Sequence, residues 1–195
     1  MSSSFGRMQA GMIFILIDID FGSFDVIPDF IGYLLIASAA IQLYRKTKDV
    51  SFRNVNYIAV FLMIVNLVNI FMPNNSRGAG LQMNSISFVM TVVTMLSTIH
   101  LYYYLYNGML RIVESFRDVK FNNKLLSDRN IYVYVNLVIA MLISLSPYIS
   151  WIYETGIFLI LVIIVGLILN LIAIVNVNSI KVRLRVNEGL IVNEN

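Results

Sequence analysis

No cysteine occurs among the 195 residues, which excludes disulfides, thiolate zinc sites and cysteine nucleophiles. Charge is scarce too: Asp, Glu, Lys and Arg make up 13% of the chain, against roughly 25% in ordinary soluble domains. A single histidine leaves no His-Glu-x-x-His pair for zinc, and neither a Gly-x-Ser-x-Gly elbow nor a Gly-rich phosphate loop is present. The usual residues of zinc hydrolysis, serine acyl transfer and P-loop chemistry are therefore missing. Proline occurs only at Pro28, Pro73 and Pro147, each at the end of an apolar run.

What fills the chain is hydrocarbon. Hydrophobic residues make up 58% of it and the mean hydropathy is +0.79. A helix needs about 20 apolar residues to cross a bilayer. The expectation is one all-α polytopic membrane domain over 1–195, with about six transmembrane helices near 5–21, 28–44, 55–72, 86–106, 131–150 and 157–177. The first is the shortest. Its apolar run Ala10–Ile17 rises only some 12 Å as helix, so it either extends back to Phe5 and on through Asp18–Phe21 or forms a re-entrant element. A cleavable leader is not expected, because aspartates interrupt the run between Arg7 and Ala37-Ser38-Ala39.

Basic residues orient these spans. With six crossings, Arg7, Arg45, Lys46, Lys48, Arg53, Arg111, Arg117, Lys120, Lys124, Arg129, Lys181, Arg183 and Arg185 share one side with both termini. Only Arg77 lies opposite. Thirteen of fourteen basic residues on one side marks it as cytoplasmic and selects six crossings over five. The net charge of +3 then reflects membrane orientation, and nucleic acid is not an expected partner. The outer side carries Asp18, Asp20, Asp25, Asp29 and Glu154 against that single Arg77, so it is acidic.

Four of those acids crowd into Ile15–Tyr33. From Ile17 to Phe21 apolar and acidic residues alternate, and Gly22-Ser23 suits a type II′ turn. A short β-hairpin-like break after the first helix is predicted, with Asp20 opposite Asp25 and Phe21 opposite Phe24, before a helix that starts at Pro28. Opposed like charges destabilise a strand pair, so Asp18, Asp20, Asp25 and Asp29 form a candidate cation or proton site. The simpler reading makes them solvated turn and cap residues, with Asp25 capping the next helix and Asp29 complementing its dipole. A docking surface for a partner is the third. No metal centre, cofactor or catalytic residue is assigned.

Polar residues inside the spans are the other candidates. Ser87, Thr91, Thr94 and Thr98 share one face of the fourth span, read as helix packing with a polar permeation path as the alternative. Asn66, Asn69, Asn136 and Asn170 are expected to face inward and hold helices together. His100 lies beside Tyr102, Tyr103, Tyr104 and Tyr106, which read as an interfacial aromatic belt. It is expected to be hydrogen-bonded or snorkelling there, with a functional role as the alternative. In the long connector from Asn107 to Asn130, Met109, Ile112, Val113, Phe116 and Val119 recur at helical spacing. Helix four is expected to continue past the membrane or bend along its inner surface; a partner-docking helix is the alternative.

One stretch carries a family likeness. Asp25, Val26, Ile27, Pro28, Asp29, Phe30, Ile31, Gly32 and Tyr33 form an Asp-aliphatic-aliphatic-Pro-Asp-aromatic-aliphatic-Gly-Tyr pattern. It resembles a motif of small uncharacterised multi-pass membrane proteins of bacteria. The resemblance implies bacterial origin and an integral membrane fold, and it implies no activity. The expected function is a non-enzymatic protein of the bacterial cytoplasmic membrane, a small binding or accessory component whose partners are the lipid bilayer and another membrane protein. The alternative is a cation- or proton-coupled transporter using the acidic outer face. A two-aspartate hydrolase would need carboxylates converging in a cleft at membrane depth.

Overall fold

The computed structural model describes residues 1–17, 20–21, 24–25, 29–71, 85–116, 118–145 and 157–193, with backbone alone at 20–21, 24–25, 69–71, 85–87, 157–159 and 187–193. Among the described residues the chain forms six helices: α1 Ser2–Leu16, α2 Asp29–Thr47, α3 Val50–Phe71, α4 Ser85–Glu114, α5 Val119–Leu145 and α6 Ile157–Asn193. Each packs on the next, and α6 returns to α1, so the six close into a ring. Neighbours run antiparallel. Ser4 of α1 reaches Gln42 of α2, Asp49 before α3 meets Arg111 of α4, and Asn107 of α4 accepts from Arg129 of α5. The start of α1 therefore lies beside Lys181 and Arg185 of α6, at the end of the ring that carries Arg45, Lys46, Arg111, Lys120 and Lys124.

Four helices, α3 to α6, are long and apolar enough to cross a membrane. The chain is thus an α-helical membrane protein. The expected first and second spans do not meet that measure: α1 has 15 residues, and α2 carries Asp29, Arg45 and Lys46 in its end turns. Both are held by protein contacts instead. Gly11 and Gly32 let the backbones of α1 and α2 touch, since a Cβ on Gly11 would lie 2.6 Å from the Gly32 carbonyl oxygen. A Cβ on Gly32 would meet Ile15 Cγ1 at 2.5 Å. Small residues that bring helix axes together are the usual solution where no water drives association. On the same face, Phe5, Met8 and Met12 enter the core.

The hairpin-like break is not a layer of this fold. Ile17 N–H still bonds to the Ile13 carbonyl, closing α1, so no strand starts at Ile17. Pairing between described residues is confined to Asp20–Phe21 (β1) and Phe24–Asp25 (β2), antiparallel, with Asp20 opposite Asp25 and Phe21 opposite Phe24. Gly22-Ser23 and the side chains of Asp20 and Asp25 lie outside the described residues. At the opposite end a tight turn joins α2 to α3. Lys48 adopts φ 59°, the left-handed geometry that ends a helix, and Asp49 Oδ1 then caps α3 by accepting from Ser51 N–H at 2.8 Å.

The connector between spans four and five is helical almost throughout. α4 continues to Glu114, and α5 begins at Val119, twelve residues before the expected Ile131. Met109, Ile112 and Val113 are buried and Phe116 packs against them, but Val119 faces out. The last helix likewise runs on past 177. Val177, Ile180 and Leu184 prolong its buried stripe, so the helix continues wherever a partner covers it. Asp118 closes this end, accepting from Phe121 N–H at 3.0 Å and from the Arg183 guanidinium of α6, which lies 4.1 Å over the Phe121 ring. The Phe121 amide, then Arg183, hold the Asp118 carboxyl below its ordinary 3.8.

Two outcomes follow from this packing. Gly32→Val should lower the melting point by the equivalent of about 1–3 kcal/mol, the usual range for overpacking. Gly166→Ala, where a Cβ meets nothing within 4 Å, should melt at or slightly above the parent. Equal melting of the two variants would mean the α1–α2 contact is looser than described. A depressed carboxyl contributes stability that is present above its ordinary value and lost as pH falls through the folded-state value. Asp118→Asn should therefore melt below the parent at neutral pH, with the gap closing once pH drops under 3.8. A gap independent of pH would rule out the carboxylate as its source.

Candidate functional site

Where α2, α4, α5 and α6 converge, the ring is filled by polar aromatics. Tyr33, Tyr102, Tyr106 and Tyr132 are all buried. Tyr102 stacks on Tyr132 at 4.4 Å between centroids, and Tyr106 lies 6.3 Å from the same ring. The hydroxyls are engaged as well. Tyr33 bonds Thr98, and Tyr102 bonds Tyr132. Thr98 also donates to the Thr94 carbonyl at 2.9 Å, within its own helix.

At the basic end of this cluster sits Asn176, completely buried on α6. Its Nδ2 donates to Asp128 Oδ2 at 2.8 Å and to Tyr106 Oη at 3.2 Å, tying α6 to α5 and α4. Its Oδ1 is buried with no hydrogen-bond partner among the described residues. A bond to a carboxylate is among the stronger kind, and a buried group left unpaired carries the full desolvation cost. Nearby, Asn107 accepts from Arg129 at 2.7 Å, and the Arg129 guanidinium lies 5.6 Å from the Tyr103 ring.

The four tyrosines of α4 therefore do not form one belt. Tyr102 and Tyr106, four residues apart, share the inward stripe with Met109 and Val113, while Tyr103 faces out and Tyr104 is half-buried. Neither Asn176 nor Asp128 stands out in the sequence by residue type. The available signal was positional: Asn176 falls within the stripe Ala173, Val177, Ile180, where helical spacing puts it in the core.

Most residues singled out in the spans satisfy themselves. Asn66, Asn136 and Asn170 donate to the carbonyls of Leu62, Tyr132 and Gly166, each four residues back in its own helix, and among the described residues none bonds to a neighbouring helix as expected. A carbonyl one turn earlier is always within reach, which makes a neighbouring helix unnecessary. Thr94 and Thr98 are half-buried and Thr91 is exposed, so these three line no common interior path. Asn69 and Ser87 have side chains outside the described residues, and Asp18 lies outside them altogether. Asp29 occupies the first turn of α2, as its dipole role requires. Among the described residues no three His, Asp or Glu side chains converge to hold a metal.

His100 faces outward. Its Nδ1 contacts the Leu96 carbonyl at 2.9 Å, in keeping with the expected hydrogen-bonded role. It also lines a recess of about 440 Å³ between α3 and α4, with Tyr57, Phe61, Val93, Leu96 and Ser97. Tyr57 is 62% exposed, so the recess opens sideways. The chain matches no known protein-family model, no curated protein and no solved structure.

Asn176→Leu should lower stability by about 1–3 kcal/mol, because it leaves the Asp128 carboxylate and the Tyr106 hydroxyl without their donor. A double-mutant cycle with Asp128→Ala should return a coupling of at least roughly 0.5 kcal/mol. Additive losses would mean that the two side chains act separately.

Proposed function

We propose that the protein is a non-enzymatic, six-crossing component of a bacterial cytoplasmic membrane that docks another membrane protein through its basic end. The observation that carries this reading is the length of the helices there. α4, α5 and α6 have 30, 27 and 37 residues, whereas a crossing needs about 20. The surplus is packed rather than trailing: Met109, Val113, Phe121, Leu125, Ile180 and Leu184 are buried beneath a surface carrying Arg45, Lys46, Lys120, Lys124 and Arg185. A rigid basic platform serves recognition and adds nothing to membrane crossing. By the positive-inside bias it faces the cytoplasm, as do both termini. The closed ring supports six crossings, with α1 and α2 shielded by their neighbours. A family tie to the bacterial proteins that share the Asp25–Tyr33 pattern is part of this reading.

A second reading has its own support. Hydrogen-bonding groups follow one another from Tyr33 and Thr98 through Tyr102 and Tyr132 to Tyr106, Asn176 and Asp128, from near Asp29 toward the basic end. That order suits a cation- or proton-coupled transporter fed from the acidic face. Stacked rings and an amide, which does not pass protons on as hydroxyls and water do, weigh against it.

A chain without cysteine makes the test clean. Lys120→Cys should resist an impermeant maleimide in intact cells, label once the membrane is opened, and cross-link to one reproducible membrane protein. Lys124→Glu in the same chain should reduce that product severalfold. Labelling in intact cells would reverse the orientation, and a product indifferent to Lys124→Glu would remove the platform from the interaction.

A further inference from the structure

Of the seams around the ring, the one between α5 and α6 is the thinnest, whereas α6 packs along α1 about as closely as α3 packs on α4. The described side-chain ties across this seam all lie toward the basic end. Arg183 reaches Asp118 and the Phe121 ring, and Asn176 reaches Asp128. Away from the basic end the inward stripe of α6 continues from Val177 through Ala173 to Asn170 and Gly166, and there its cover stops. Ala173 is fully buried, Asn170 and Gly166 are half-buried, and a Cβ on Gly166 would meet nothing within 4 Å. Across the seam, Asn136 and Ser144 of α5 donate to the Tyr132 and Ala140 carbonyls of their own helix, as Asn170 does to Gly166. α6 is joined to α1 instead: Lys181 donates to Gln9 at 2.6 Å, Ser2 Oγ to the Lys181 carbonyl at 3.3 Å, and Arg185 to Ser2 at 3.0 Å.

We propose that the α5–α6 seam is a lateral hinge: α6, carried with α1, swings away from α5 at the end opposite the basic one, pivoting on the Asp118–Arg183 contact, with Asn176 as its clasp. Inside a bilayer no hydrophobic force draws helices together, so packing and hydrogen bonds alone keep a seam shut. This seam has little of the first, and among the described residues the second ends at Asn176. Segments with few buried contacts are those that open at low cost in free energy. The clasp is itself incomplete, because Asn176 Oδ1 is buried without a partner among the described residues, a cost borne while the seam is closed. The pivot is firmer. Asp118 accepts from the Phe121 amide and from the Arg183 guanidinium, which also lies over the Phe121 ring. Rotation of packed parts about one retained contact is a common form of conformational change. Release of the clasp frees Asp128 and the Tyr106 hydroxyl together, so the motion reaches the tyrosine cluster. The hinge stands without the docking platform.

Distances between paired spin labels, measured on the full-length protein in lipid nanodiscs, test this. Met141 and Ile163 are both exposed, and each lies thirteen residues from the clasp, counted from Asp128 and Asn176, so they mark the two sides of the seam at one level. Labels at Met141→Cys and Ile163→Cys should give a distance distribution roughly twice as broad as labels at Ile13→Cys and Leu171→Cys, which mark α1 and α6. Asp128→Ala should move the first distribution to longer distances and leave the second in place. Equal widths for the two pairs in the parent overturn the proposal without any further variant. An Asp128→Ala protein that melts cooperatively and keeps the parent's α5–α6 distances overturns it as well.

Discussion

Where Gly11 and Gly32 meet, two helix backbones lie closer than any residue with a Cβ would permit, and the rest of the ring is built outward from that contact. It seats α1 against α2 deeply enough for Phe5 to reach the Phe52 ring at 6.2 Å. Phe52 in turn points the tip of its ring at Gly108 of α4, where a Cβ would come within 2.7 Å of Cζ. The other face of α1 is tied to α6, with Lys181 donating to Gln9 at 2.6 Å and Arg185 to Ser2 at 3.0 Å. A helix of 15 residues thereby closes a ring it is too short to span.

The filled centre follows from the same geometry. Where α2, α4, α5 and α6 meet, the space between the helices is taken by the buried side chains of Tyr33, Tyr102, Tyr106 and Tyr132. Tyrosines reach across, and their hydroxyls find partners only because several helices present them at one level. Asn176 is the clearest case. It takes its place in the core because Asp128 and Tyr106 come from two other helices to meet it.

Charge and packing divide the molecule along its axis. At the basic end the helices go on burying one another and expose arginine and lysine. Toward the other end Ile64, Val68, Val89, Met141 and Ile163 face outward, as lipid requires.

Much of this was determined locally and was legible in the chain. Long apolar runs and the stripe Met109, Ile112, Val113 each depend on residues near one another in sequence, so period and composition report them. Element ends were harder: α5 starts twelve residues early and α6 runs on beyond 177 because neighbouring helices cover those turns. The aspartate cluster drew attention by residue type. Yet type alone cannot say whether a polar group finds its partner one turn away, as Asn66, Asn136 and Asn170 do, or on another helix, as Asn176 does. A side chain's own helix fixes only which way it faces. What it meets there depends on residues 48 to 70 positions distant, and only the closed ring brings Asp128 and Tyr106 within reach of Asn176.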